Sequence, residues 1–380
     1  MKARWSRLFM VGMVVVWLIS AALAMAQSGS AQRPQRSEQV FKNVQVLKGI
    51  PVDEFMGAMG IFTAALSMCC GDCHPGAGTE SPKWEVDTPR KRTARRMVQM
   101  VTAINRENFN GRSVVTCWTC HRASNRPATT PPLDTVYGTP IIEPPDILPQ
   151  APQTPSADEI FAKYIDALGG PTRLATVTSY IATGKSTAYG EFGSGSPVEI
   201  YAKAPNQRAT FVHTADGDLA RTFDGRAGFV ISPLTVIGQM ALTRTELDGA
   251  RLDAELSFPG RIKGVLSTWR VSTPTTLNDR EVQVVQGSNA AGLVATLYFD
   301  KQTNLLVRMV RYANSVIGRV PTQVDYSDYR DVGGIKMPFQ WVFFWLNGQD
   351  DFVLNEVQLN VPIEALKFTP QAARARSRTR

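Results

Sequence analysis

Two five-residue stretches, Cys70-Gly71-Asp72-Cys73-His74 and Cys117-Trp118-Thr119-Cys120-His121, constrain this chain more than any other feature. Each has the Cys-x-x-Cys-His spacing that attaches a c-type haem. Two thiols three residues apart can add to the two vinyl groups of one porphyrin, and the histidine that follows turns under the ring to ligate its iron. The same four cysteines also fit a Cys₄ zinc site or a pair of redox dithiols. Only three histidines occur in 380 residues. Chance would place one directly after both pairs in on the order of one chain in ten thousand, so two covalent haems are the preferred reading. Cys69 is left over. Pairing it with Cys73 would give Cys-x-x-x-Cys-His, whereas Cys70 fits the normal spacing, so Cys69 reads as a small buried or partly buried thiol beside the haem.

The first residues bear on compartment. Lys2, Arg4 and Arg7 precede an apolar run from Leu8 to Leu23 that ends in Ala24-Met25-Ala26 before Gln27, the layout of a signal peptide over 1–26 with a small-x-small cleavage site. The competing reading is an uncleaved anchor, since the run nearly reaches the ~20 residues that span a bilayer. The formal charge of +8 is moderate and sits in local runs, which points to an acidic partner or a membrane surface. No nucleic-acid motif is present.

Each haem motif is preceded by a helical pattern. Ile50-Pro51-Val52-Asp53-Glu54 reads as a helix start, with Val52, Phe55, Met56, Met59, Phe62 and Leu66 recurring on one side. Gly57, Gly60 and Ala64 are small enough to let a flat macrocycle approach that helix. A second helix is predicted between Thr93 and Asn105, with Ala94, Met97, Val101 and Ile104 in register. The cluster Arg90, Lys91, Arg92, Arg95 and Arg96 opens this segment and reads most simply as a solvated face. Propionate neutralisation and docking of an acidic partner are its functional alternatives. A histidine–methionine iron needs a thioether from elsewhere in the chain. Spacing offers Met56 and Met59 to the first haem, Met97 and Met100 to the second, and does not choose between them.

From Val40 to Arg126 the chain resembles the cytochrome c subunit of photosynthetic reaction centres, whose unit is a methionine-bearing helix, a turn and then Cys-x-x-Cys-His. The most specific match is Thr93-Ala94-Arg95-Arg96-Met97-Val98-Gln99-Met100, followed by Ala103-Ile104-Asn105 and Val115-Thr116-Cys117-Trp118-Thr119-Cys120-His121-Arg122. The resemblance implies Met97 as sixth ligand of the second haem and Met59, with Met56 in reserve, as that of the first. It also implies attachment of the haems on the outer side of a bacterial membrane, in keeping with export. That family typically carries four haems in two pairs; this chain has one pair.

Eight prolines crowd the stretch from Pro131 to Pro155, which reads as a stiff linker over 131–155 between a dihaem domain at 27–130 and a second domain at 156–370. Ser156-Ala157-Asp158-Glu159 is a capping box, and Gly169-Gly170 ends its helix. Beyond it the period becomes two, as in Val198, Ile200 and Ala202. Asp224-Gly225 and Asn347-Gly348 mark hairpins, and a third joins Leu297–Phe299 to Leu305–Tyr312. His213 lies on a strand face with Phe211 and reads as structural. Trp341, Phe343 and Trp345 share one face, as core or as the lining of a lipid-like pocket. Leu297-Tyr298-Phe299-Asp300, Asp325-Tyr326-Ser327-Asp328-Tyr329-Arg330 and Gly333-Gly334-Ile335-Lys336-Met337-Pro338-Phe339 give this region a resemblance to the half-barrel of the outer-membrane lipoprotein-sorting superfamily. The tail at 371–380 is basic and suited to anionic lipid.

The expected fold is therefore multidomain: a mainly α dihaem domain joined to an α+β domain with a large curved antiparallel sheet. The expected role is periplasmic transfer of single electrons between redox proteins, a membrane-bound reaction centre or respiratory complex among them. It is a carrier's role rather than that of an enzyme with its own substrate. A dihaem peroxidase, or a haem-bearing sensor or lipid-binding module working through the sheet, are the rivals; no acid–base constellation stands out near either motif.

Overall fold

In a computed structural model the described residues are 34–131, 133, 136, 147–188, 195–233 and 237–373. The predicted leader at 1–26, much of the proline-rich stretch and residues 374–380 of the tail lie outside them. Contacts divide the chain into Met1–Gln35 and Arg36–Arg380, and every described helix and strand belongs to the second unit.

Helices come first in this unit: α1 (Ser37–Val40), α2 (Val52–Leu66), α3 (Cys70–Cys73), α4 (Pro89–Asn108) and α5 (Cys117–His121). Helix α4 starts earlier than its apolar pattern, because Pro89 occupies its first position and the Thr88 hydroxyl caps Lys91 N–H. Its first two turns are mostly charged and carry no apolar period to read. Next, α6 (Ala157–Ala167) opens on the expected capping box, in which Ser156 and Glu159 bond reciprocally, and α7 (Pro171–Ala175) follows Gly169 and Gly170, both at positive φ.

Among the described residues thirteen strands then form one antiparallel sheet. Strands β1 (Ser179–Ala188), β2 (Ser196–Lys203), β3 (Gln207–Thr214), β4 (Gly217–Phe223), β5 (Gly228–Ile231) and β6 (Gln239–Ala241) step outward as consecutive neighbours. Helix α8 (Arg244–Glu255) and a short 3₁₀ turn at Pro259–Gly264 carry the chain to the opposite edge. Strands β7 (Thr268–Leu277), β8 (Arg280–Ser288), β9 (Val294–Asp300), β10 (Leu306–Ser315), β11 (Gly318–Val332), β12 (Ile335–Trp345) and β13 (Gly348–Leu359) step back. The two runs meet where β13 pairs with β1, Tyr180 opposite Leu359. All three predicted hairpins are present. Gly184 sits where the β1–β13 register shifts, and a Cβ there would lie 2.2 Å from the Val353 carbonyl oxygen, so no larger residue fits this closing pair.

Alternation buries one face of the sheet beneath α6 and α7. Phe161 is fully buried and meets Trp269 and Phe299 edge-on; Ile200, Leu297 and Met309 complete the same core. Burying aromatic and branched side chains of this size supplies roughly 1.5–3 kcal/mol each. Helix α8 is held differently. Glu246 and Asp253, seven residues apart on one face, each reach both Arg311 of β10 and Arg221 of β4. Arg311 is completely buried, and Gly249 makes its place: a Cβ there would stand 2.4 Å from Nη1.

Candidate functional site

The first motif is a single turn, α3, opened by a reciprocal bond in which Cys69 N–H donates to the Asp72 carboxylate at 2.9 Å. His74 N–H closes it onto the Cys70 carbonyl at 2.8 Å. The His74 ring is half-buried, 5.1 Å from the Trp84 indole, with Nδ1 3.3 Å from the Trp84 carbonyl oxygen. When Nδ1–H donates to that carbonyl, Nε2 keeps its lone pair, which is the form a metal takes. Burial, and after it the Lys91 ammonium, pulls the pKa of His74 below the ordinary imidazole value, so the ring is neutral at neutral pH.

The second motif, α5, repeats the design with different residues. Thr116 N–H donates to the Thr119 hydroxyl at 3.0 Å, and His121 Nδ1 lies 2.9 Å from the Ser124 carbonyl oxygen. Arg122 and Ala123 turn the chain through positive φ to present that carbonyl. Asn105, buried in α4, accepts from Val114 N–H and Val115 N–H and donates to the Val115 carbonyl at 2.7 Å. Asn105 thus pins the approach to Cys117. Its place in the motif was visible in the sequence, its task was not.

Cys70 and Cys120 are exposed, Cys73 half-buried and Cys117 buried, and Cys69, expected to be at least partly buried, is exposed as the residue that caps the turn from outside. Burial pushes the Cys73 and Cys117 thiols up, the opposite of the lowered pKa that marks reactive redox dithiols. Among the described residues no three His, Cys, Asp or Glu side chains converge as a metal-holding group, so the two cysteine pairs do not assemble one Cys₄ cage.

The helices exchange motifs. Helix α4 packs on Cys70–Cys73, and α2 packs on Cys117–His121; Ala58, Ile61, Ala65, Val98 and Cys117 share one apolar cluster with Ile317 of the β10–β11 turn. The deepest face of α2 is therefore the small-residue face, not the stripe of Phe55, Met56, Met59, Phe62 and Leu66, which stays half-buried. Gly57 and Gly60 are where the sheet closes on α2: Cβ atoms there would lie 3.2 Å from Val320 and 3.3 Å from Leu346. Met59, Thr63 and Cys70 line a cavity of about 680 Å³ with Val320, Trp345 and Leu346. On α4, Met97 is half-buried whereas Met100 is 43% exposed.

The basic cluster is largely occupied. Arg90 bonds the Asp72 carboxylate and carbonyl, Arg95 and Arg92 hold Asp87, and Lys91 donates to the Trp84 and Val86 carbonyls. It ties the loop after His74 to α4, so a purely solvated face is not what forms. His213 pairs with Asp218 at 2.8 Å on β3, as a structural histidine does.

Asp53 and Glu54 anchor the start of α2 to the sheet side. Asp53 is buried and accepts from Thr243 N–H and its hydroxyl; Glu54 meets Arg244 at 3.0 Å. Burial, opposed by the Thr243 bonds, raises Asp53 from 3.8 to about 6. Between these values the folded chain binds more protons than the unfolded one. This contribution is complete below the unfolded pKa and is lost as pH rises through the folded one, on the order of 3 kcal/mol in all. Urea unfolding should show Asp53→Asn gaining on the wild type by that order between about pH 4 and about pH 7; a constant difference would contradict the assignment.

Residues 17–133 match the photosynthetic reaction centre cytochrome C subunit family. The matched segment includes both motifs and both helices. Over 96 residues the chain is 33% identical to the photosynthetic reaction center cytochrome c subunit of Rubrivivax gelatinosus, covering 24% of this chain and 25% of that one. The chain thus spans about a quarter of the length of that relative. Family likeness implies covalently bound haem, and the matched segment fits it: each Cys-x-x-Cys turn ends in a histidine whose Nδ1 faces a main-chain carbonyl.

Solved structures similar to this chain include a LolA superfamily protein from Nitrosomonas europaea, at 13% identity and TM-score 0.38, covering 58% of this chain and all of that one. A DUF1329 family protein from Desulfovibrio piger is 10% identical at TM-score 0.39, covering 58% and 99%. Among the described residues no helix is long and apolar enough to cross a membrane.

Proposed function

We propose that the chain is a dihaem c-type cytochrome that passes single electrons between redox partner proteins, in the periplasm or on the outer face of the inner membrane after removal of its leader. The observation that carries this reading is the pair of histidines, each following its own Cys-x-x-Cys turn and each with Nδ1 at a carbonyl, Trp84 for one and Ser124 for the other. Cys70 and Cys73 would hold the first haem together with His74 and Met59; Cys117 and Cys120 would hold the second together with His121 and Met97. When bound, each haem supplies a one-electron couple.

The chain's own residues supply position and environment. The carbonyls orient the imidazoles and raise their basicity. Helices α2 and α4 would offer the thioethers of Met59 and Met97, both half-buried. The sheet, through Val320 and Leu346 against Gly57 and Gly60, braces the helix that bears Met59. A membrane-bound reaction centre or respiratory complex is the partner class that the family likeness supports.

Intact mass of the purified chain tests the reading, with haem staining on a denaturing gel. Two haems per chain are expected, falling to one in Cys70→Ala/Cys73→Ala and to one in Cys117→Ala/Cys120→Ala. A single haem, or bound zinc, in the wild type would overturn it.

A further inference from the structure

We propose that Lys91 is a positioning residue of the first haem site, whose ammonium shares the Trp84 carbonyl with His74 and thereby raises the potential of that haem above the second. The inference rests on the dihaem reading. It starts from one oxygen atom with two donors: the Trp84 carbonyl accepts from Lys91 Nζ and lies 3.3 Å from His74 Nδ1.

Lys91 is placed by the motif itself. The Thr88 hydroxyl donates to the Cys73 carbonyl at 3.2 Å and accepts from Lys91 N–H at 3.3 Å, so the start of α4 is tied to the haem-attachment turn. From there Nζ reaches the Trp84 carbonyl and, at 2.9 Å, that of Val86. Both partners are neutral. Of the carboxylates around it, Asp72 is held by Arg90 and Asp87 by Arg95 and Arg92, Glu85 acts on it only through space, and Lys91 forms no ion pair among the described residues. Its charge therefore stands beside the His74 imidazole with no carboxylate in direct contact, Asp87 and Glu85 opposing it only through space.

Two effects follow, with the same sign. An acceptor at Nδ1–H makes an axial imidazole a stronger donor to iron; an acceptor already bonded to an ammonium draws less on that proton and weakens the effect. A fixed positive charge near the metal also favours the state of lower positive charge, the reduced one. The second site lacks the device. His121 Nδ1 has the Ser124 carbonyl at 2.9 Å, and among the described residues no lysine or arginine donates to that oxygen. The two motifs share a spacing, and this cation at the histidine's carbonyl is one of the differences between them.

Potentiometric titration of the full-length holoprotein, followed by absorbance, is the test. In Lys91→Met the first-haem transition, identified as the one missing from Cys70→Ala/Cys73→Ala, should fall by at least tenfold in reduced-to-oxidised ratio at fixed poise, or 59 mV. The second-haem transition should stay in place, and Lys91→Arg should recover most of the shift. A merely structural lysine would leave the potential unmoved while lowering the unfolding midpoint. Two transitions that stay put in Lys91→Met, or that move together, overturn the proposal. A wild-type mass without two haems sinks the dihaem reading itself and this proposal with it, and is seen before any titration.

Discussion

Met97→Leu is expected to remove the low-spin, six-coordinate signature from one haem and leave that of the other intact. Met100→Leu should change neither. The two methionines are three residues apart on α4, and apolar periodicity does not separate them; burial does, since Met97 is half-buried and Met100 is 43% exposed. A thioether that ligates iron has to be withdrawn from water and held, whereas an exposed methionine has rotamer freedom to lose. Met97→His should keep six ligands and lower the potential of that haem by two decades or more, ~0.12 V at 59 mV per decade, within the roughly 0.8 V that axial ligands span. Met59→Leu should act on the other haem in the same way. Absorbance and electron paramagnetic resonance of the oxidised variants read both outcomes. Loss of the signature in Met100→Leu rather than Met97→Leu would mean that the wrong thioether has been assigned, with the two attachment sites untouched.

The second large effect lies in the sheet. Arg311→Leu should destabilise the chain by about 3–5 kcal/mol, because it leaves Glu246 and Asp253 with Arg221 as their remaining cation in a buried setting. Burial alone would raise the Glu246 carboxyl, yet Arg311 and Arg221 outweigh it and hold that group below its ordinary value. Gly249→Val should cost a comparable amount by a different route, since its Cβ would stand 2.4 Å from Arg311 Nη1. Arg106→Ala is the control. Its pair with Glu107 is solvent-exposed, and exposed pairs contribute about 0–1 kcal/mol. Chemical denaturation of the three variants decides the matter: a loss in Arg311→Leu no larger than in Arg106→Ala would show that the buried cluster does not hold α8.

The elements of this protein are legible in its sequence where the signal is local. Ser156 and Glu159 announce the capping box of α6, Asp224-Gly225 and Asn347-Gly348 announce their hairpins, and the two motifs announce their own turns. In each the partners lie within a few residues, so residue type and spacing are the whole cause. Helix α4 marks the limit. Its core residues follow a helical period, while its charged first turns gain their order from partners in the loop below, Asp72, Trp84 and Asp87.

By itself, then, the sequence determined the chemistry on offer: two Cys-x-x-Cys-His turns, a methionine-bearing helix ahead of each, and a run of short strands. Only the tertiary structure decided how they meet. It set α2 on the second motif and α4 on the first, closed the sheet onto Gly57 and Gly60, and gave His74 a carbonyl shared with a lysine. It also joined Asp53 to Thr243 across 190 residues. The physical reason is range. A turn or cap is a contest among a few neighbouring groups, whereas which face of a helix is buried depends on what the remote chain brings against it, and that leaves no period in the sequence to read.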